Sequence, residues 1–245
     1  MKSPRYQKRF YRDWVSSRRL RETRLAEMET DLHILTDVPV DEPFCRERVR
    51  MYRSQIGEYI DYGDKRFLSS LKPLPVDARA PRIVREMAVQ AHKAGVGPMA
   101  AVAGAIAQFL GKDLIRKGCR DVIIENGGDI FLKVTTRTKV GLYAGRSRFS
   151  RRLSLAFDPA AGPLGVCTSS GTVGHSLSFG TADSVTVIAR DALLADACAT
   201  AVGNRVRAKK DLAPAVEFAR SIRGVRGVMV VFRDTLATWG CVELA

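Results

Sequence analysis

The spacing of apolar residues predicts helices in several parts of this chain. From 42 to 71 apolar residues recur at helical spacing, and Gly63-Asp64 predicts a break between two helices. Pro81 suits the first turn of a further helix over 82–92. Pro98 likewise suits the first turn of a helix of small residues that ends near Leu114. Two more helices are predicted, one from Asp191 and one over 212–222.

Other segments have the pattern of β-strands. The alternation after Leu20 favours an amphipathic edge strand that ends at Leu32–Leu35. Asp121–Glu125 predicts a short buried strand, and apolar residues resume at 130–132 beyond an Asn-Gly-Gly-Asp turn. Further strands are predicted over 139–143, 153–157, 184–189, 226–233 and 236–244. Strands and helices mixed without βαβ regularity predict an α+β fold with mixed or antiparallel sheets packed against helices.

Charge adds a preference for anionic partners. The 245 residues carry a formal net charge of +14, and the segment 1–17 is especially basic and contains aromatic residues. That composition suits a basic N-terminal arm that binds RNA or an acidic partner, although a solvated surface is the plainer explanation. We therefore separate an arm, 1–17, from an α+β domain, 18–245.

The sequence has neither a secretory signal nor an apolar run long enough to span a membrane. Five dispersed cysteines without a C-x-x-C pair favour buried thiols over a disulfide framework. We expect a cytoplasmic protein.

The stretch 165–204 concentrates the candidate chemistry. Thr168, Ser169, Ser170 and Gly171 combine hydroxyls with small residues, which let a backbone approach a ligand and bind phosphate oxygens. His175 stands between Gly174 and Ser176, where it could act as a general acid or base or simply be a hydrogen-bonded loop residue. A phosphate-bearing, nucleotide-type ligand is therefore expected here.

Asp196 and Thr200 lie four residues apart, on one face of the helix that begins near Asp191. A carboxylate and a hydroxyl form a plausible half-site for Mg²⁺, which prefers oxygen ligands. The alternative is an aspartate that caps a helix or meets one of the many arginines.

Two glycine-containing turns are candidate parts of the same site. Gly95 and Gly97 precede a helix whose first N–H groups could bind an anion, although tight packing of a buried helix explains the small residues equally well. The turn Asn126, Gly127, Gly128 and Asp129 is first of all a hairpin signal.

Several motifs of this chain resemble those of an ApbE-like family, within the superfamily of the FAD:protein FMN transferases. They are ETDL at 29–32, AGVGPMAAVAGAIA at 94–107, ENGGDI at 125–130, TSSGTVGHSLSFGTAD at 168–183 and ADACATAVGN at 195–204. The resemblance covers most of the chain from about residue 18.

The resemblance implies an α+β domain that binds FAD, with Mg²⁺ at the diphosphate. Asp196 and Thr200 match the transferase metal ligands, and Asn126–Asp129 would line the cleft. His175 would stand in for the catalytic histidine, and the acceptor would be a hydroxyl on another protein. An Mg²⁺-dependent FMN transferase is one reading, and a non-catalytic protein of this fold that uses its arm to bind RNA or an acidic partner is the other.

This chain departs from the transferases at two places. Their G-G-x-x-K-G-Y turn is replaced by Gly95–Ala100, without the lysine or the tyrosine. Their longer insert ending in H-H-I-x-D-P-x-T-G is shortened here to Gly174–Gly180, without the Asp-Pro.

Overall fold

The computed structural model describes residues 19–141, 147, 149, 154–170 and 180–244. Its ten strands are β1 (Arg21–Glu27), β2 (Thr30–Thr36), β3 (Val122–Asn126), β4 (Asp129–Lys133), β5 (Thr138–Gly141), β6 (Ser154–Phe157), β7 (Leu164–Ser169), β8 (Ser184–Ala189), β9 (Val225–Phe232) and β10 (Thr235–Gly240). Its α-helices are α1 (Glu42–Tyr62), α2 (Arg66–Ser69), α3 (Arg82–Ala94), α4 (Val102–Arg116), α5 (Ala192–Gly203) and α6 (Leu212–Ser221). Short 3₁₀ turns occupy Pro98–Ala101, Pro159–Ala161 and Lys209–Asp211.

Eight strands form one antiparallel sheet in the order β1-β2-β3-β4-β7-β8-β9-β10. Strands β5 and β6 leave this meander and pair with each other in a separate two-stranded sheet. The α+β fold with antiparallel sheets packed against helices is thus confirmed.

Both faces of the large sheet are covered, which explains why its central strands lack a polar face. The larger core lies between one face and the helices, and it includes Val122, Phe131 and Leu193. A second core lies between the other face and the small sheet, where Leu155 and Phe157 pack with Leu164. Strand β8 is accordingly buried at all six of its residues.

The N-terminal strand differs from its prediction. The structure divides it into a hairpin, β1 and β2, around Met28 and Glu29. Met28 has a φ of 53°, a conformation in which glycine or asparagine is usual, so the sequence gives no turn signal there. Among the described residues β1 is at the edge of the sheet, as predicted, but Leu32–Leu35, where that edge strand was expected to end, lie in β2, between β1 and β3.

The break at Gly63-Asp64 and the helix that follows Pro81 are confirmed. The helix predicted from Pro98 instead begins as a 3₁₀ turn and becomes an α-helix at Val102. The last strand ends at Gly240 rather than at 244, where Leu244 forms only a single bridge to Leu155. The boundary between the arm and the domain stays a prediction, because residues 1–18 lie outside the described part.

All five cysteines are free thiols, and all but Cys241 are buried, as predicted. Across the described ranges, no individual helix has both the length and the apolar composition needed to cross a bilayer. The segments Arg82–Ala94 and Pro98–Arg116 would pass that test only together, and they are bent by 102°.

Candidate functional site

The β3–β4 hairpin presents the glycine turn at one end of the large sheet. Asn126 pairs with Asp129 across a two-residue loop, in which Gly127 and Gly128 have φ values of 70° and 107°. Two successive positive φ values favour glycine strongly, which explains the Gly-Gly pair. The Gly128 N–H also donates to Glu125 Oε1 at 2.8 Å. The hairpin prediction is therefore confirmed.

The hydroxyl cluster lies beside this turn, because β7 pairs with β4. Asp129 is opposite Cys167, and the Thr168 N–H donates to the Gly128 carbonyl at 3.2 Å. Thr168 Oγ1 is 2.9 Å from Thr186 Oγ1, and Ser170 Oγ donates to the Asp183 carbonyl at 2.8 Å. Thr168 and Ser170 are half-buried, whereas Ser169 is buried.

The carboxylate of Asp196 lies at the N-terminus of α4. Its Oδ2 accepts from the Gly104 N–H at 2.9 Å, and the Ala103 N–H also hydrogen-bonds to it. These N–H groups belong to the first turn of a helix, which has no intrahelical partners for them and which favours negative charge. Asp196 thus caps a neighbouring helix, one of the two alternatives left open by the sequence.

Gly104 allows that close approach. A Cβ at this position would lie 2.3 Å from the Ala192 carbonyl oxygen and 3.0 Å from Asp196 Cβ. On the other side of the turn, Asn126 Nδ2 donates to the Ala103 carbonyl at 3.1 Å. The start of α4 therefore joins the hairpin to α5.

The charges of two carboxylates, Asp129 and Asp196, interact in this site. Burial first, and then the charge of Asp129, raise the pKa of Asp196 well above its ordinary value, and the hydrogen bonds from Gly104 and Ala103 oppose the increase. A divalent cation would offset both the cost of burying the charge and the repulsion between the carboxylates, because it favours the charged form of each carboxylate. The donor set thus fits a hard cation.

Thr200 follows Asp196 by one turn of α5 and is half-buried. Within the described ranges, no group of three or more His, Cys, Asp or Glu side chains could hold a metal ion. Most ligands of a cation at Asp196 would therefore have to come from hydroxyl groups, water and ligand oxygens, which is usual for Mg²⁺.

Cys167 lies beside the two carboxylates. Its thiol is buried and contacts the Ala192 carbonyl at 3.3 Å. Burial, followed by the charges of Asp129 and Asp196, raises the pKa of the Cys167 thiol well above its ordinary value. Burial and the raised pKa disfavour the thiolate, which is the nucleophilic form.

The start of α5 is fixed by two side chains, only one of which belongs to that helix. Asp191 accepts from the Leu194 N–H at 2.7 Å, and Gln108 Oε1 of α4 accepts from the Ala192 N–H at 2.8 Å. Sequence reasoning missed Gln108, although a buried glutamine in an otherwise apolar helix is a usable signal.

The glycines before α4 both have structural roles. Gly95 ends α3 in the left-handed conformation, with a φ of 71°. Gly97 packs against another segment, since a Cβ there would lie 1.7 Å from the Ser70 carbonyl oxygen. Their predicted contact with a ligand stays a prediction.

The structure therefore brings together Asn126–Asp129, Thr168–Ser170 and Asp196, which the sequence assigned to one site. Gly171 and His175 fall within 171–179, outside the described residues, so their predicted roles remain untested.

This arrangement of sheet and helices is the fold of the ApbE flavin transferases. The flavin transferase ApbE from Vibrio cholerae superposes with a TM-score of 0.58 at 15% identity, over 90% of this chain and 97% of that one. The ApbE protein from Thermotoga maritima gives a TM-score of 0.63 at 13% identity, over 89% and 96% of the two chains.

The chain belongs to the family described as "AbpE bacteria", whose model matches residues 12–224. A UPF0280 protein from Methanococcus aeolicus is 42% identical over 218 residues, 87% of each chain. Another, from Methanospirillum hungatei, is 44% identical over 212 residues, 86% of this chain and 84% of the relative. The ApbE-like resemblance of the sequence is thus confirmed.

Proposed function

We propose that this protein binds FAD in the cleft between the β3–β4 hairpin, the end of β7 and the start of α5. The observation that carries the proposal is the buried Asp196 carboxylate at the N-terminus of α4, within electrostatic range of Asp129 and beside a glycine turn and a row of hydroxyls. Two carboxylates repel a phosphate ligand unless a cation lies between the carboxylates and the phosphate. The site therefore suits a metal ion and an anionic ligand bound together. The fold shared with the flavin transferases supports FAD as that anion.

In this proposal Asp196 and Thr200 hold Mg²⁺, which when bound neutralises diphosphate charge and polarises the phosphoryl group. Gly127 and Gly128 let the backbone approach the ligand, and Thr168 and Ser170 offer hydroxyls to it. The N-terminus of α4 fixes the Asp196 carboxylate, so that its position does not depend on the cation.

The activity we propose for the bound FAD is transfer of its FMN part to another protein. A threonine or serine hydroxyl of the acceptor attacks the FMN phosphorus, the bond to the bridging diphosphate oxygen breaks, and AMP leaves. The hydroxyl proton passes to a base, for which His175 is our candidate.

The test is calorimetric titration of the purified protein with FAD, first with Mg²⁺ and then with EDTA. We expect saturable binding that requires Mg²⁺. Asp196→Asn keeps an acceptor for the Gly104 N–H but loses the charge, and Thr200→Val keeps the shape but loses the hydroxyl. Each should weaken Mg²⁺-dependent binding by about tenfold or more, since hydrogen bonds and metal contacts of charged groups are worth over about 1.4 kcal/mol.

Asp61→Asn, an equivalent change on the exposed face of α1, serves as the matched control and should leave the affinity unchanged. FAD binding that is equal in Mg²⁺ and EDTA, and is unaffected by Asp196→Asn, would refute the metal assignment. No FAD binding in either condition would remove flavin from the function.

A further inference from the structure

A second concave site lies between helices α1, α3 and α4. It is a cavity of about 350 Å³, which is within the size range of small-molecule pockets. Its walls include Arg48 and Tyr52 of α1, Arg82 of α3, and Phe109, Lys112 and Arg116 of α4. The spacing Phe109, Lys112, Arg116 places these three side chains on one face of α4.

The residues that line this cavity are distinct from those of the proposed FAD site at Asp196, although α4 contributes to both. Gly104 contacts Asp196, and Lys112 is eight residues further along the helix, about 12 Å at the usual helical rise. The two candidate sites therefore use different turns of α4.

One part of the cavity wall is organised by a buried carboxylate. Asp113 Oδ2 accepts from Arg48 Nε and from the Tyr52 hydroxyl, both at 2.6 Å, and Arg116 binds the other oxygen. The Tyr52 hydroxyl also accepts from Arg48 Nη2 at 2.8 Å. Burial, with the hydrogen bond to Asp113, raises the pKa of Tyr52 to about 12, so its proton stays in this network. This network pairs the charge of Arg48 and explains one contact of Arg116.

The remaining cations are not explained by that network. Arg82 pairs with Glu86 at 2.6 Å, but its guanidinium is mostly exposed and lies 6.0 Å from the centre of the Phe109 ring. Lys112 is half-buried and forms no ion pair within 4 Å among the residues that the structure describes, and its charge interacts at longer range with the Asp191 carboxylate at the start of α5. Four cations thus surround the cavity. Asp113 and Glu86 pair with three of them, and the charge of Lys112 interacts with Asp191, so four positive charges against three carboxylates leave a surplus of one.

The floor of the cavity is apolar and aromatic. Tyr52 and Phe109 pack edge to face, with ring centroids 5.2 Å apart, and both are largely buried. Guanidinium and ammonium groups above such a floor suit a small ligand with a phosphate group and a less polar body, because arginine binds phosphate oxygens in a bidentate manner.

We propose that this cavity binds a small phosphorylated metabolite, with Arg82, Lys112 and Arg116 contacting the phosphate. Binding here needs neither a metal nor FAD, so the proposal is independent of the function proposed for the cleft.

The test is titration with inorganic pyrophosphate in EDTA, which suppresses metal-dependent binding in the cleft. We expect saturable binding that weakens as the salt concentration rises. The double variant Arg82→Ser/Lys112→Ser should weaken it by about tenfold or more, since each removes a charge-assisted hydrogen bond. Arg82 is mostly exposed and Lys112 forms no ion pair within 4 Å among the described residues, so thermal unfolding should remain close to that of the wild type.

The matched control is Arg79→Ser/Lys139→Ser. Arg79 is exposed three residues before Arg82, and Lys139 is exposed on the small sheet at the opposite face of the molecule. The control removes the same charge and should leave pyrophosphate affinity nearly unchanged. Equal losses in both double variants would overturn the proposal, as would the absence of saturable binding to the wild type.

A second measurement locates the ligand. Pyrophosphate should slow acetylation of Lys112 by an amine-reactive reagent, measured by mass spectrometry, without protecting Lys139. Equal protection of the two lysines would show diffuse binding to a basic surface and would also overturn the proposal.

Discussion

Single residues decide how the end of β2 is joined to the start of β3. Asp37 Oδ1 accepts from the backbone N–H groups of Arg120 and Asp121 at 2.9 and 3.1 Å, and Oδ2 accepts from Arg120 Nε at 3.3 Å. Burial would raise the pKa of Asp37, but these hydrogen bonds outweigh it and lower the pKa below its ordinary value. The charged carboxylate is therefore the form that stabilises the fold.

Asp37→Asn should lower the free energy of unfolding at pH 7 by about 1 kcal/mol, because the charge-assisted hydrogen bonds become neutral ones. A carboxyl whose pKa is depressed on folding stabilises the protein above its unfolded pKa, about 3.9, and that stabilisation is lost as the pH falls through the folded pKa. Urea unfolding at several pH values should show the difference from the wild type shrinking below about pH 4. Asp61→Asn is the exposed control, and a difference of constant size at all pH values would contradict this assignment.

At the scale of elements, the approach of α4 to α5 determines the candidate site. It requires Gly104, since any side chain would meet the Ala192 carbonyl and Asp196. It also requires Gln108 and Asp191 to bind the free N–H groups of α5. Hydrogen bonds at the N-termini of α4 and α5 thus fix the position of Asp196.

Gly104→Ala should destabilise the protein by about 1–3 kcal/mol, because the new methyl group must push the two helices apart. FAD affinity should fall as well, since Asp196 moves with α5. Gly57→Ala is the matched control, as an added Cβ there has nothing within 4 Å in the middle of α1. Replacing an unconstrained helical glycine with alanine should stabilise the protein by about 0.5–1 kcal/mol. Chemical denaturation should therefore show a gain in unfolding free energy for Gly57→Ala and a loss for Gly104→Ala. A loss of stability at Gly57 equal to that at Gly104 would count against the packing explanation.

At the scale of the whole molecule, two cores share one eight-stranded sheet. The helices bury one face and the small sheet β5–β6 buries the other. Because residues of both cores alternate along the same strands, neither core can unfold without exposing the strands of the other. We therefore expect a single cooperative unfolding transition.

Phe157→Ala tests that expectation from the smaller core. Phe157 is 4% exposed, and its truncation should cost about 3–5 kcal/mol through lost burial and the remaining cavity. Circular dichroism and tryptophan fluorescence should follow one transition, moved to lower denaturant concentration. Leu68→Ala, at a 58% exposed position, should change stability by less than about 0.5 kcal/mol. Two separate transitions in the Phe157 variant would contradict the shared-sheet explanation.

Much of the fold could be predicted locally. Helical periodicity predicted α1, and prolines and glycines predicted where the neighbouring helices begin and end. These signals are local because they depend on the backbone of a few consecutive residues. The β3–β4 turn was predictable for the same reason, as Gly127 and Gly128 both have positive φ. The turn at Met28 was not, because tertiary pairing of β1 with β2 holds an ordinary residue in that conformation.

The sequence by itself determined the α+β class, the family and the segments that carry the candidate chemistry, since motifs and periodicities are local properties. Only the tertiary structure decided that Asp196 caps α4, that Cys167 is buried within electrostatic range of two carboxylates, and that basic residues of three helices surround one cavity. Those contacts join residues far apart in the chain, and their energies depend on distance and burial. Both quantities are fixed by packing around the sheet rather than by any stretch of sequence.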